Sequence, residues 1–222
     1  MPLCNIKLIC FDLDGTLVDS VPDLRLALNA MLDEHQLAHC SEREIKTWVG
    51  NGLPKLVERA LNHVTQTAYD QAFFICALAS FEKHYQYYLN SASGLYDGVA
   101  ETLSALKKKG YKTALITNKA EQFLPDLLAG FNIADKFDLL LGGDTLSRNK
   151  PDPIQVNFAC EHFSVSKEQT VMVGDSRNDI LAGQNANVRT IALTYGYNYG
   201  EPVSTLNPDF IINQFNELLD LL

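Results

Sequence analysis

The sequence predicts an α/β fold, a doubly wound (Rossmann-like) parallel sheet interrupted near its start by a block of helices. Three observations carry that prediction. Six short runs of four or five residues are apolar almost throughout and rich in β-branched or aromatic side chains, as strands covered on both faces are. From the second run onward the gaps hold helical patterns, and strand-helix alternation marks a parallel sheet flanked by helices. Between Leu17 and about Ser93, by contrast, no convincing strand is legible.

In chain order, the first strand is expected at Lys7 to Phe11. Val21 to Glu34, Ser41 to Val49, Leu53 to His63 and Ala68 to Asn90 then read as four helices. Pro22 and Pro54 sit near two of their starts, where the missing N–H of proline is tolerated. Residues 18–93 are therefore expected to form a separate helical cap domain on a core of residues 1–17 and 94–222. Asn90-Ser91-Ala92-Ser93-Gly94 is the return linker. The core resumes with a helix over Val99 to Lys109, stopped by Gly110. Strands at Thr113 to Thr117 and Phe137 to Leu141 bracket a helix over Ala120 to Ala129 that stops at Gly130. A helix at Pro153 to His162, a strand at Thr170 to Val173 and a helix at Asn178 to Asn187 follow. Strands at Arg189 to Leu193 and Asp209 to Ile212 and a helix at Asn213 to Leu222 complete the set.

Composition narrows the function. Of 222 residues 46% are hydrophobic, too many for a disordered chain, and a chain this long buries roughly 70% of its unfolded surface. Its 18 Lys+Arg against 27 Asp+Glu give a net charge of -9, which argues against nucleic acid as a partner, since phosphate neutralisation needs basic surplus. The longest apolar-rich run, Ala72 to Phe81, is too short to span a bilayer, so no membrane partner is expected. Residues 1–12 lack the basic start and apolar run of a leader peptide. The cysteines Cys4, Cys10, Cys40, Cys76 and Cys160 are odd in number and scattered, neither a disulfide framework nor a zinc site. A cytoplasmic protein with reduced thiols is expected, as a monomer or homodimer.

The chemistry is written at the strand ends. The first strand runs into Asp12-Leu13-Asp14-Gly15-Thr16. Alternation brings two carboxylates one residue apart to the same side, and ligands of open α/β sheets bind beyond the carboxyl ends of strands. The fourth strand runs into Gly174-Asp175-Ser176-Arg177-Asn178-Asp179, which parallel topology sets beside the first cluster. Converging carboxylates repel unless a cation or a proton intervenes, and an oxygen-rich set suits Mg²⁺. Thr117-Asn118-Lys119 ends the second strand and Lys150-Pro151-Asp152 follows the third. A hydroxyl, an amide and the Lys150 ammonium together suit the oxygens of a phosphoryl group. Taken singly, Thr117 could cap a helix and Lys150 could be a surface lysine; the four elements in order make that reading improbable.

These four elements resemble the haloacid-dehalogenase-like hydrolase superfamily, in the branch whose helical cap is inserted after the first strand. The resemblance implies that Asp12 is a nucleophile forming an aspartyl-phosphate and that Asp14 is its general acid and base. It implies Mg²⁺ held by the Asp12 carboxylate, the Asp14 backbone carbonyl and Asp175. Thr117, the Asn118 N–H and Lys150 would bind the phosphoryl group, and Asp179 would hold a water on the metal or orient Lys150. Dehalogenases and phosphonate hydrolases of the superfamily lack an acid equivalent to Asp14, which points to a small phosphorylated substrate; the mutase branch keeps it. Asp12 to Leu24, Val49 to Leu53, Tyr96 to Val99, Thr117 to Lys119, Gly174 to Gly183 and Leu193 to Tyr197 are most similar to members acting on 2-phosphoglycolate. Sugar phosphates, nucleotides, pyrophosphate, a phosphoglucomutase-like reaction and a silent binding protein are the alternatives. Specificity is expected from the cap: the Gly50-Asn51-Gly52 turn, Lys55, Arg25 and Arg43 could meet a substrate carboxylate, since glycines allow close backbone approach and a helix start presents N–H groups. Tyr85, Tyr87, Tyr88 and Trp48 read as packing.

Overall fold

The computed structural model describes residues 3–65 and 68–222. Its strands and main helices, in order, are β1 (Leu8–Phe11), β2 (Val18–Asp19), α1 (Val21–Glu34), α2 (Glu42–Lys46), α3 (Leu53–Val64), α4 (Gln71–Tyr88), β3 (Gly94–Leu95), α5 (Val99–Lys108), β4 (Lys112–Ile116), α6 (Leu124–Gly130), β5 (Leu139–Leu141), α7 (Ile154–Phe163), β6 (Thr170–Gly174), α8 (Arg177–Ala186), β7 (Arg189–Leu193), β8 (Phe210–Ile212) and α9 (Leu218–Leu221).

Six strands form one parallel sheet in the order β5-β4-β1-β6-β7-β8. The apolar runs are continuous because both faces are covered. Ile9 and Phe11 point into one core, with Leu103 of α5, Leu127 of α6 and Leu218 of α9. Leu8 and Cys10 point into the other, with Val156 of α7 and Ala182 of α8. The winding reverses between β1 and β6, whose Phe11 and Val173 are partners in register. Asp12 and Asp175 follow those two strands, so the acidic clusters meet at the switch point where open α/β sheets bind ligands.

Between β2 and β3 lies the helical insert. α1 packs along α4, and Leu28, Met31, Leu56, Leu61, Phe81 and Tyr85 fill a core of their own, joined by Phe123 and Tyr197 from the sheet side. The return to the sheet is pinned by Asp23, whose buried carboxylate accepts the N–H groups of Asn90 (2.8 Å), Ala92 (2.7 Å) and Ser93 (3.1 Å). Among the described residues no helix is long and apolar enough to cross a membrane.

Several elements differ from expectation; the expected helix over Ala120 to Ala129 opens as a 3₁₀ turn, Glu121–Phe123, before α6, and that over Ser41 to Val49 is helical from Glu42 to Lys46. β2 and β3 form a short antiparallel ribbon at the two crossings into and out of the insert, so the stretch after Leu17 does begin with a strand and Gly94 belongs to one. Two-residue strands are too short to show periodicity. The expected helix over Asn213 to Leu222 is a 3₁₀ turn, Phe215–Glu217, followed by α9; Phe215 and Leu218 are buried, and that anchoring sets the geometry.

Candidate active site

Asp12 leaves β1 with its backbone still in the ladder: its N–H donates to the Val173 carbonyl at 3.0 Å. The carboxylate is therefore held at the carboxyl end of a central strand, 7% exposed. The chain then turns at Gly15, whose φ of +90° suits glycine. A methyl group there would also press into the Asp175 carboxylate. Asp175 is fixed by the Thr16 hydroxyl, donating at 2.6 Å, and by the Tyr197 N–H at 2.8 Å. Asp179 sits in the first turn of α8, where it accepts the Ser176 N–H at 3.0 Å and hydroxyl at 2.7 Å. Oxygens of Asp12, Asp175 and Asp179 lie within 4.8 Å of one another, all three side chains buried.

Against those three carboxylates stands one buried ammonium. Lys150 Nζ lies 2.7 Å from Asp12 and 2.6 Å from Asp179. Burial pushes the Asp12 carboxyl up to about 7, reinforced by Asp179 and opposed by Lys150. Burial, then the charges of Asp179 and Asp12, hold Asp175 well above the usual carboxylate range. Burial alone would lower Lys150, but Asp12 and Asp179 outweigh it and hold the ammonium above its ordinary value. Three packed carboxylates with one cation leave negative charge uncompensated. An all-oxygen donor set of that kind fits a hard divalent cation.

Thr117 follows β4, its N–H bonded to the Leu141 carbonyl at 3.0 Å. Asn118 ties the site together, its Nδ2 donating to the carbonyls of Lys150 (2.9 Å) and Gly50 (2.8 Å). Gly50 belongs to the insert, and its carbonyl also accepts from Asn178 Nδ2 at 2.7 Å. Asn51 Oδ1 accepts the Tyr199 hydroxyl at 3.1 Å. Thus the Gly50-Asn51-Gly52 turn rests directly on the core strand ends. Its glycines have φ of +117° and +81°, and a side chain at Gly50 would strike Tyr199. Leu24, Val49, Leu53 and Leu56 roof the resulting cleft, which encloses about 30 Å³.

The structure brings Asp12, Asp14, Thr117, Asn118, Lys150, Asp179, Gly50 and Gly52 to this one cleft, with Asp175 beneath Asp12. It does not bring Asn51 or Lys55 there: Asn51 turns to Tyr199, and the Lys55 side chain is half exposed and pairs with Glu58 one turn along α3. Arg43 is exposed and Arg25 half-buried, and neither lines the cleft.

Lys119, which the sequence places in the Thr117-Asn118-Lys119 element without a role, also lines it. Its Nζ is 3.1 Å from Asp14 Oδ1 and donates to the Tyr85 hydroxyl at 2.6 Å. The signal was present, since the alternation that unites Asp12 with Asp14 equally unites Thr117 with Lys119. Thr16, Asn178 and Tyr197 stand in motifs the sequence shows but carry no individual role there; the Thr16 and Asn178 contacts span more than 100 positions of sequence, and that of the Tyr197 N–H joins two different strand ends.

The sequence profile of the haloacid dehalogenase-like hydrolases matches residues 9–193. A protein of Colwellia psychrerythraea named phosphoglycolate phosphatase is 45% identical over 221 residues, 99% of this chain and 98% of its own length. One of the same name from Haemophilus influenzae is 42% identical over 226 residues, covering 98% of this chain and 99% of its own. Among solved structures, a predicted phosphoglycolate phosphatase from Haemophilus somnus superposes with a TM-score of 0.96 at 38% identity, covering 99% of both chains.

Proposed function

The chain belongs to the haloacid dehalogenase-like hydrolase family, and from that premise we propose that it is a phosphoric monoester hydrolase converting 2-phosphoglycolate to glycolate and inorganic phosphate. The observation that carries the chemistry is Asp12, a strand-end carboxylate held 2.7 Å from a buried lysine and grouped with two further buried acids. The substrate rests on the full-length relatives that bear that name.

In this reading Thr117, the Asn118 N–H and Lys150 hold the phosphoryl oxygens. An Asp12 oxygen bonds to phosphorus as the bond to the substrate alkoxide breaks, and Asp14 delivers a proton to that leaving oxygen. Asp14 then takes a proton from a water whose oxygen attacks phosphorus, freeing phosphate and restoring Asp12. Asp14 faces the cleft beside Asp12, which suits both proton transfers. The carboxylates of Asp12 and Asp175 and the Asp14 carbonyl would hold Mg²⁺, which when bound would supply the charge neutralisation that lets a carboxylate meet an anion. Asp179 orients Lys150 through their 2.6 Å contact. Residues 18–93 act as the cap that excludes water: a space of about 30 Å³ holds about two water molecules, so substrate enters when the Gly50 carbonyl lets go of Asn118 and Asn178. The proposal carries with it a cytoplasmic monomer or homodimer with no nucleic-acid partner, in keeping with its net charge of -9.

The test is a kcat/KM panel of 2-phosphoglycolate, pyrophosphate, sugar phosphates and nucleoside monophosphates. Phosphoglycolate is expected to lead, and a better rate with any other member replaces the substrate assignment. A second expectation concerns pH. The Asp12 and Asp175 carboxyls titrate above their ordinary range, so at acid pH a metal must displace protons to bind. Mg²⁺ affinity is expected to rise about tenfold or more between about pH 6 and about pH 8, with protons released at the lower value. Calorimetric titration in buffers of different ionisation enthalpy measures both; pH-independent affinity contradicts it.

A further inference from the structure

We infer that Lys119 receives the second anionic group of the substrate, the carboxylate of a two-carbon phosphorylated acid, at the point where Tyr85 of the helical insert meets Asp14 of the core. The inference rests on the phosphoglycolate reading above and gives it a specificity residue.

The cleft is lined by two cations, Lys119 and Lys150. Lys150 lies against two carboxylates, Asp12 and Asp179, both within 2.7 Å. Lys119 lies against one, Asp14, at 3.1 Å, and its side chain is 1% exposed. A hydrogen bond to the Tyr85 hydroxyl at 2.6 Å directs it, and Tyr85 is immobilised by its stack on Phe81 and its edge contact with Phe123. An ammonium has three donors. Tyr85 and Asp14 occupy two, and the third remains for a ligand in the cleft.

Position completes the inference. Asp14 is the acid that meets the leaving oxygen, and in phosphoglycolate the carboxylate carbon is one methylene away from that oxygen. An ammonium touching Asp14 is therefore placed beside that carboxylate once the phosphoryl group sits between Asp12 and Lys150. Among the described residues no cation of the insert, Arg25 included, lines the cleft. Lys55 is paired with Glu58, and Arg59 Nη1 donates to the Trp48 carbonyl. The contact also draws both layers together, since Lys119 and Asp14 come from the core and Tyr85 from α4. A carboxylate at Lys119 is thus bound only when the insert is closed.

The Mg²⁺-loaded wild type, Lys119→Met and Tyr85→Phe are compared on 2-phosphoglycolate and on 2-hydroxyethyl phosphate, which replaces the carboxylate by a neutral hydroxymethyl group. The readout is the ratio of kcat/KM values for the two substrates, so any shared loss through Asp14 cancels. Lys119→Met is expected to lower the preference for phosphoglycolate about 10- to 100-fold, the worth of a hydrogen bond to a charged group. Tyr85→Phe keeps the ammonium but loosens it and is expected to lower the preference about threefold; it decides the matter if Lys119→Met does not fold. An unchanged ratio in the folded variants, with both rates falling together, overturns the role of Lys119 and leaves the substrate assignment standing. A wild type with no preference between the two substrates overturns both.

Discussion

Replacing Asp12 with asparagine is expected to abolish turnover, by at least about 10⁴-fold, while leaving the fold intact. The asparagine is nearly isosteric and keeps the backbone N–H bond to Val173, but it has no anionic oxygen to attack phosphorus. Its stability follows from the sign of the pKa shift. The Asp12 carboxyl is raised by burial to about 7, so the protonated form is the one the fold prefers. Its contribution to stability is full below the ordinary carboxylate range and is lost as pH rises through about 7. Asparagine has no charge to bury. With metal chelated, at about pH 8, the variant is therefore expected to melt no lower than the wild type, as active-site replacements that relieve electrostatic strain do. Thermal denaturation and phosphate release measure the two halves. Turnover near the wild-type rate removes Asp12 from the chemistry.

Lys150→Met is expected to cost both activity and stability. The ammonium contacts Asp12 and Asp179 at 2.7 and 2.6 Å and is 2% exposed. Its removal leaves three neighbouring buried carboxylates, including Asp175, with no cation among them. Breaking a buried ion pair on one side costs about 3–5 kcal/mol, which for a chain of this size is a fall in Tm of roughly 6–20 °C. Activity is expected to fall about 10³-fold, the scale for loss of a donor to a phosphoryl or oxyanion group. Added Mg²⁺ restores part of the Tm and little of the rate, because a metal offsets the carboxylate charge without supplying the donor to the phosphoryl oxygens. Calorimetry with and without chelator, together with phosphate release, checks each part. A variant that melts like the wild type without metal contradicts the electrostatic account of the site.

Much of this is legible in the amino-acid sequence, for identifiable reasons. Strands with both faces buried are apolar at every position, so Leu8 to Phe11 and Thr170 to Val173 stood out. α1 ends where the sequence placed it, at Val21 and Glu34, since Pro22 marks one end and a run of polar residues the other. Asp12, Asp14, Asp175 and Lys150 were legible because each follows a strand, and parallel topology brings strand ends together. What escaped was the pairing of groups far apart in sequence. Tyr85 packs in the insert core as the sequence suggests, but its hydroxyl also meets Lys119, while Tyr87, read as packing too, is 78% exposed. Tyr85 and Tyr88, three residues apart, face the insert core while Tyr87 points away, and composition gives no sign that the Tyr85 hydroxyl meets a lysine of another strand end. Lys55 suits an anion in the sequence because it lies in the first turn of a helix beside a glycine turn; the fold sends it along α3 toward Glu58.

The acidic balance of the chain also changes meaning at this site. A net charge of -9 disfavours polyanions at large, but Asp12, Asp175 and Asp179 are gathered where a cation compensates them, and Lys150 and Lys119 face the same cleft. The anion site is local and built largely from acids.

The most direct test of the account is to trap the covalent intermediate. Mg²⁺-loaded enzyme is mixed with radiolabelled 2-phosphoglycolate, quenched in acid within a single turnover and digested. Label is expected on the peptide containing Asp12, released by hydroxylamine as an acyl phosphate is, and absent from Asp12→Asn. Label on another residue, or full turnover with no labelled protein at any quench time, contradicts the assignment of Asp12 as the nucleophile.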